Sequence, residues 1–390
     1  MEAYILDSLY RRIDVVDKFE SLIWTERFSA MGDFTLDIQS TLENRNRFLP
    51  GIRLACNESK RVMTVETIED STDDEGRRIL KMKGPSFESV LKQRLAMLSL
   101  TSLTTAPKWI ITGLPKVIAT KLFHDICVTG TLHTGDIISG VVEGSIFPVD
   151  TIGAPTVSVT YSIDPKDLYT ALKDLCDAYA MGFRLVRDLD TSILYFDVYM
   201  GSDRTTQQTT LPAVVFSPDL DNLRSTNKVV TTALYKNVAY VVSPVGHEVV
   251  YPDDVDPSVA GFERRVLFVK ADDITDGVPA TATTKMIQRG KEELAKNRRF
   301  TALDGELTQK NQYVYGTHYN LGDLVELRDD DGTTSQMQVT EQIFVSDKEG
   351  DRKYPTLSVN LFITPGSWIA WDYSQVWSEV DLSEHWADQP

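Results

Sequence analysis

Cysteine is scarce in this 390-residue chain: Cys56, Cys127 and Cys176 stand far apart, and no CxxC pair occurs. Three scattered thiols give no basis for a disulfide framework or a cysteine-held zinc site. They read as buried residues of a chain made in a reducing compartment. Histidine is nearly as rare. None of His124, His133, His247, His318 and His385 has a second histidine at metal-ligand spacing. His247-Glu248-Val249-Val250-Tyr251 begins like HExxH, but Tyr251 stands where the second imidazole of that zinc motif is required. There is no GxxxxGK[ST] phosphate loop and no GxSxG nucleophile turn. No apolar run approaches the ~20 residues of a membrane span. The opening MEAYILDSLYRRIDVV breaks its apolar stretch with acids and arginines, unlike a signal peptide.

Positive charge is also short: 40 Lys and Arg stand against 57 Asp and Glu, a net −17. A protein that grips phosphates needs a basic surface, so sequence-specific nucleic-acid binding is disfavoured. The acids gather at residues 70–76, 253–256 and 329–332. A calcium-binding EF-hand needs Asp first, Gly sixth and Glu twelfth. Counting back from Gly76 puts Ser71 first and Met82 last, and counting back from Gly332 puts Leu327 first. The clusters read as solvated hairpin tips, with an irregular cation site left open. Paired carboxylates for glycoside hydrolysis can lie far apart in sequence, but 57 acids single out no pair. No catalytic, cofactor-binding or metal-ligating residue is assigned.

What is present is an ordinary globular composition, 42% hydrophobic and 25% charged. The first 85 residues read as strands at Tyr4–Asp7, Arg12–Val16, Phe34–Ile38, Ile52–Leu54 and Arg61–Ile68, with Arg78–Met82 completing a hairpin. The spacing of Phe87, Val90, Leu91, Leu95 and Leu98 predicts a helix that opens at Gly84-Pro85-Ser86. A second helix covers Pro115–Val128. A third is predicted from an Asp164 cap through Leu168, Leu172, Leu175 and Tyr179 to Gly182, followed by a hairpin turning at Asp188-Leu189-Asp190. Val229–Ser243 and Arg264–Lys270 read as strands, residues 284–299 as a helix, and Leu324–Leu327, Gln336–Val339, Ile343–Val345 and Thr356–Val359 as strands. The middle of the chain is therefore α+β between β-rich ends. Both ends share a faint order of glycine, strand, turn, strand, acidic turn, strand, beginning at Gly51 and at Gly322. This suggests two like β-domains, each a small barrel or half-barrel.

Two local features stand out. Residues 285–299 carry Lys285, Arg289, Lys291, Lys296, Arg298 and Arg299 against Glu292 and Glu293, an excess of positive charge in an acidic chain. Such a stretch serves as a solvated face, a contact with acids of a neighbouring subunit, or a phosphate contact. Trp368, Trp371, Trp377 and Trp386 put four of the six tryptophans in the last 26 residues, in a segment with little periodicity and many acids. Tryptophan anchors interfaces, so this segment either docks on a partner or neighbouring protomer or folds back on its own domain.

The N-terminal block runs Tyr4-Ile5-Leu6-Asp7, Arg12-Ile13, Glu20-Ser21-Leu22-Ile23-Trp24-Thr25-Glu26-Arg27, Gly32-Asp33-Phe34-Thr35-Leu36. It resembles the opening of tail-hub (minor tail) proteins of long-tailed phages. Arg61-Val62-Met63, the unit from Asp164 to Val198, the helix from Met286 to Phe300 and Tyr319-Asn320-Leu321-Gly322-Asp323-Leu324-Val325 fit the same family. The resemblance covers most of residues 1–365. It implies a β-rich α+β fold like that of contractile-phage baseplate hubs, with two small β-barrel-like domains flanking α+β domains. The expected divisions are 1–98, an N-terminal barrel-like domain with a closing helix; 99–212, α+β; 213–300, a second α+β or β segment with a helix; 301–365, a C-terminal barrel-like domain; and 366–390, the Trp-rich tail. It also implies a non-enzymatic virion protein without cofactor or membrane anchor, made in the host cytoplasm and placed at the tail tip as a homotrimer. Its partners would be its own copies, a distal tail or tail-tube protein, other tail-tip or receptor-binding proteins, and DNA that passes without specific binding. Receptor binding or cell-wall degradation at the tail tip is the alternative. The expected interface residues are Trp368, Trp371, Trp377 and Trp386 with Lys285, Arg289, Lys296, Arg298 and Arg299.

Overall fold

Asp33–Gln39 buries Phe34, Leu36 and Ile38 at the period of a half-buried strand. It pairs antiparallel with Ser21–Arg27, placing Phe34 opposite Trp24. The structure is a computed structural model that describes every residue except 73–75, 100–108, 164, 253–254, 273, 276–277, 296, 298–299, 308–312, 329–333 and 360–390. Asp33–Gln39 pairs onward with Arg78–Pro85, which forms the expected hairpin with Thr67–Thr72. The other edge of Ser21–Arg27 is occupied by Thr334–Asp347, which places Phe344 opposite Trp24 from the far end of the sequence. Thr334–Asp347 also pairs with Leu324–Arg328 and Gly350–Val359, and Val215–Phe216 adds in parallel to Leu324–Arg328.

The result is one eight-stranded sheet built from both ends of the chain. This corrects the expectation of two small barrels: among the described residues there is no closed barrel, and the two end segments hydrogen-bond to each other. A four-stranded sheet of Arg12–Val16, Ala3–Leu6, Arg53–Cys56 and Met63–Thr64 lies over its N-terminal half. One core joins Ile5, Val16 and Leu54 of the smaller sheet to Trp24, Phe34, Leu36, Met82 and Phe344 of the larger. A second core gathers Phe28, Tyr199, Phe216, Val325, Met337 and Val339. Each such side chain contributes about 1.5–3 kcal/mol of burial, so Phe344 helps to hold the N-terminal half in place.

Thr334–Asp347 reads as two strands in the sequence but forms one of 14 residues, with a register shift between Val339 and Glu341. A bulge of this kind bends a strand and re-aims its side chains. Met337 and Val339 enter the second core and Phe344 enters the first. The expected helix from residue 85 is instead a short 3-10 turn, Phe87–Gln93, because Gly84-Pro85 remain in the sheet and Leu95–Ala96 pairs with Lys166–Asp167. The same pairing displaces the expected cap of the third helix, Leu168–Ala178. Asp164 lies outside the described residues, and Asp167 accepts a hydrogen bond from the Thr170 N–H at 2.8 Å. That helix stops at Tyr179, and Gly182 starts the strand Gly182–Arg187, which pairs with Leu194–Tyr199 as expected. The helix Pro115–Phe123 continues into a π-helical turn, His124–Val128. The long strand expected over Val229–Ser243 is split in two, Leu223–Thr231 and Val238–Ser243.

The described residues divide into two compact units, Met1–Thr231 with residues 300–359, and Thr232–Arg299. In the second, Val238–Ser243 lies between antiparallel Gly246–Val250 and parallel Val266–Lys270. The helix Pro279–Ala295 covers one face, where Ala282, Met286 and Leu294 meet Ala239, Val241, Val250 and Val269. Gly290 permits that approach: a Cβ there would lie 2.6 Å from a methyl of Val250.

Candidate functional site

The seam between the two chain ends concentrates the charged residues of the N-terminal block. Arg27 leaves the edge of its strand and reaches two carboxylates. Its Nε donates to Glu341 at 2.7 Å, and a terminal nitrogen donates to Asp33 at 2.5 Å and to the Met31 carbonyl at 3.0 Å. Burial acts to lower the pKa of Arg27, but Asp33 and Glu341 outweigh it and hold the guanidinium above its ordinary value. Burial pushes the Glu341 carboxyl upward against the pull of Arg27. The strand pairing sets this contact, since Arg27 and Glu341 are register partners.

Glu26 points the opposite way, as alternation along a strand requires. It accepts from the Tyr315 hydroxyl at 2.8 Å and from Ser59. Burial, with Glu26 next, drives the Tyr315 phenol well above its usual range. Beneath it Arg61 pairs with Glu88, at 2% and 0% exposure, and donates to the Arg27 carbonyl at 3.0 Å. Glu88 also accepts from the Leu185 N–H at 2.8 Å. Removing a buried pair's partner leaves an uncompensated charge, whereas the intact pair tolerates only one geometry. Across the seam itself, Arg27–Glu341 and Tyr315–Glu26 tie segments 314 and 289 residues apart.

Leu321-Gly322-Asp323 forms the second joint. Asp323 accepts from the Ser202 N–H at 2.7 Å, from Arg204 Nε at 2.7 Å and from the Asn320 N–H at 2.9 Å. Burial raises its carboxyl in spite of these bonds. Gly322 has φ +88°, and a Cβ there would lie 2.6 Å from the Phe28 ring. Only glycine meets both demands. Thus the residues that carry the sequence resemblance are structural joints.

The residues expected at interfaces do not gather at this seam. Lys285 and Arg289 lie on the helix Pro279–Ala295, Lys285 exposed and Arg289 partly covered. Lys296, Arg298, Arg299, Trp368, Trp371, Trp377 and Trp386 lie outside the described residues. A shallow cleft lined by Lys116, Lys121, His124, Asp125 and Glu143 brings His124 Nδ1 within 2.7 Å of Glu143. Among the described residues no group of three His, Cys, Asp or Glu side chains could hold a metal ion. Sequence reading singled out neither the Arg61–Glu88 nor the Arg204–Asp323 pair. Their partners are 27 and 119 residues apart, so no local spacing marks them.

The same architecture occurs in solved phage tail proteins. A tail protein of Neisseria meningitidis MC58 is similar at TM-score 0.56 and 14% identity, over 92% of this chain and 96% of that one. The 43 kDa tail protein of prophage MuSo2 from Shewanella oneidensis is similar at TM-score 0.56 and 13% identity, over 92% and 98% of the two chains. Prophage tail protein gp18 of Listeria monocytogenes EGD-e is similar at TM-score 0.53 and 12% identity, over 92% and 95%. A search of curated proteins finds no match. Residues 2–356 match the family model described as siphovirus ReqiPepy6 Gp37-like protein. The chain belongs to this siphovirus tail-protein family.

Proposed function

We propose that this protein is the hub at the distal end of the phage tail. Three copies form a ring that adapts the sixfold tail tube to threefold tip proteins and surrounds the DNA channel. The observation that carries this reading is the family match across residues 2–356, together with a fold shared with whole tail proteins. The repeat supplies a physical rationale. In sequence, each copy carries the order of glycine, strand, turn, strand, acidic turn, strand twice, from Gly51 and from Gly322. Three copies then present six similar sections to a sixfold tube. An excess of 57 acids over 40 bases suits a channel wall that DNA crosses without sticking.

In this reading the protein is non-enzymatic. Its partners are its own copies, a distal tail or tube protein, and receptor-binding or other tip proteins. Lys285, Arg289, Lys296, Arg298 and Arg299 meet acids of a neighbouring copy, and Trp368, Trp371, Trp377 and Trp386 anchor between copies. Electron-microscopy class averages of the purified protein test the proposal. Threefold rings with six peripheral lobes are expected. Rings of another order, or clearing of host cell walls in a zymogram, would contradict it.

A further inference from the structure

Among the described residues, the Thr232–Arg299 unit covers one face of its sheet and leaves the other open. Tyr240, Val242, Val249 and Phe268 are 38%, 39%, 41% and 67% exposed. The register sets Tyr240 beside both Val249 and Phe268, so the side chains make one apolar patch. Phe262, shortly before the third strand, is fully exposed. Arg264 borders the patch through a 2.9 Å hydrogen bond to the Tyr240 hydroxyl. Lys270, also paired with Asp272, is in register with Val242. A sheet face of this composition is normally covered by another layer.

The chain carries a segment suited to cover it. Residues 366–390 hold four tryptophans, Ile369, Tyr373, Val376 and Leu382, with five acids and no Lys or Arg. Their charge has to be offset by groups outside the segment. The Thr232–Arg299 stretch has ten bases and ten acids in a chain at −17, so it repels the segment less than the remainder does. Residues 360–390, fully extended, reach about 100 Å, against a radius of gyration of roughly 21 Å for a compact chain of this length. Reach is not limiting, even to a neighbour. A cyclic ring needs two different, complementary surfaces on each copy, one meeting the other on the next. An aromatic acidic segment and an open apolar face form such a pair.

We propose that residues 366–390 of one copy cover the Tyr240–Val249–Phe268 face of the next copy in the ring, with the tryptophans as anchors. The inference rests on the trimeric-hub reading. The test uses full-length protein carrying either Phe268→Cys or Trp371→Cys on differently tagged chains, co-assembled and then oxidised. Cys56, Cys127 and Cys176 are buried and stay silent. A disulfide between the two tagged chains is expected, and none when Leu42→Cys replaces Phe268→Cys. Deleting residues 366–390 should speed alkylation of Phe268→Cys several-fold. A cross-link that forms only within doubly substituted single chains overturns the proposal. So does a three-copy assembly with no cross-link and unchanged alkylation, which leaves the hub reading standing. A single-copy mass in the same sample removes the hub reading itself.

Discussion

The two units bury their sheets by different means. The larger one encloses ions, among them Glu26, Arg61, Glu88, Asp323 and Glu341. The Thr232–Arg299 unit encloses no charged side chain among its described residues, and it layers one helix on one face of three strands. Ionic contacts between distant segments accept one register, because a slip leaves charges buried and unpaired. Apolar layering accepts more variation and here leaves a face uncovered. The larger unit thus ties distant segments together through buried ions, and the smaller one exposes Tyr240, Val249 and Phe268 on one sheet face.

The sharpest way to break this contrast is at the ionic seam. Arg61→Met leaves Glu88 buried without its cation and should cost about 3–5 kcal/mol. Urea unfolding measures it, and a loss below about 1 kcal/mol would mean that the buried Arg61–Glu88 pair does not lock this part of the larger unit. Gly322→Ala forces a Cβ against Phe28 at φ +88°. It should cost about 1–3 kcal/mol, and an unchanged midpoint would count against the joint.

A smaller effect is expected from Asp177. Burial raises its carboxyl from 3.8 to about 6, and the ion pair with Lys173 offsets this only partly. Between those values the folded protein holds a proton that the unfolded chain has lost. Its contribution to stability is therefore present below pH 3.8 and lost as pH rises toward 6. The difference between wild type and Asp177→Asn should slope over that window and flatten above it; parallel profiles would refute the assignment. The smallest effect belongs to Phe268→Ser on the open face. Monomer stability should move by less than about 0.5 kcal/mol while assembly weakens, as sedimentation would record.

Much of the fold was legible in the sequence, for identifiable reasons. Period-two burial along Asp33–Gln39, the hairpin at Gly182–Tyr199 and the amphipathic Leu168–Ala178 helix all depend on neighbours close in sequence. The Phe87–Gln93 turn was misread as a longer helix because its apolar spacing is helical, while pairing at both flanks overrides that spacing. The merger of the two end segments was hidden for the same kind of reason. Nothing near Trp24 announces Phe344, and a bulge at residue 340 makes one strand look like two. The motif residues Glu26, Arg27, Asp33 and Asp323 were visible as a pattern, but their partners Tyr315, Glu341 and Arg204 were not.

The proposed hub is a ring of three copies. Light scattering on the purified full-length protein across a wide concentration range tests it most directly. The account predicts a species of three times the 43.8 kDa chain mass. A mass of 43.8 kDa that persists at the highest concentration would contradict it.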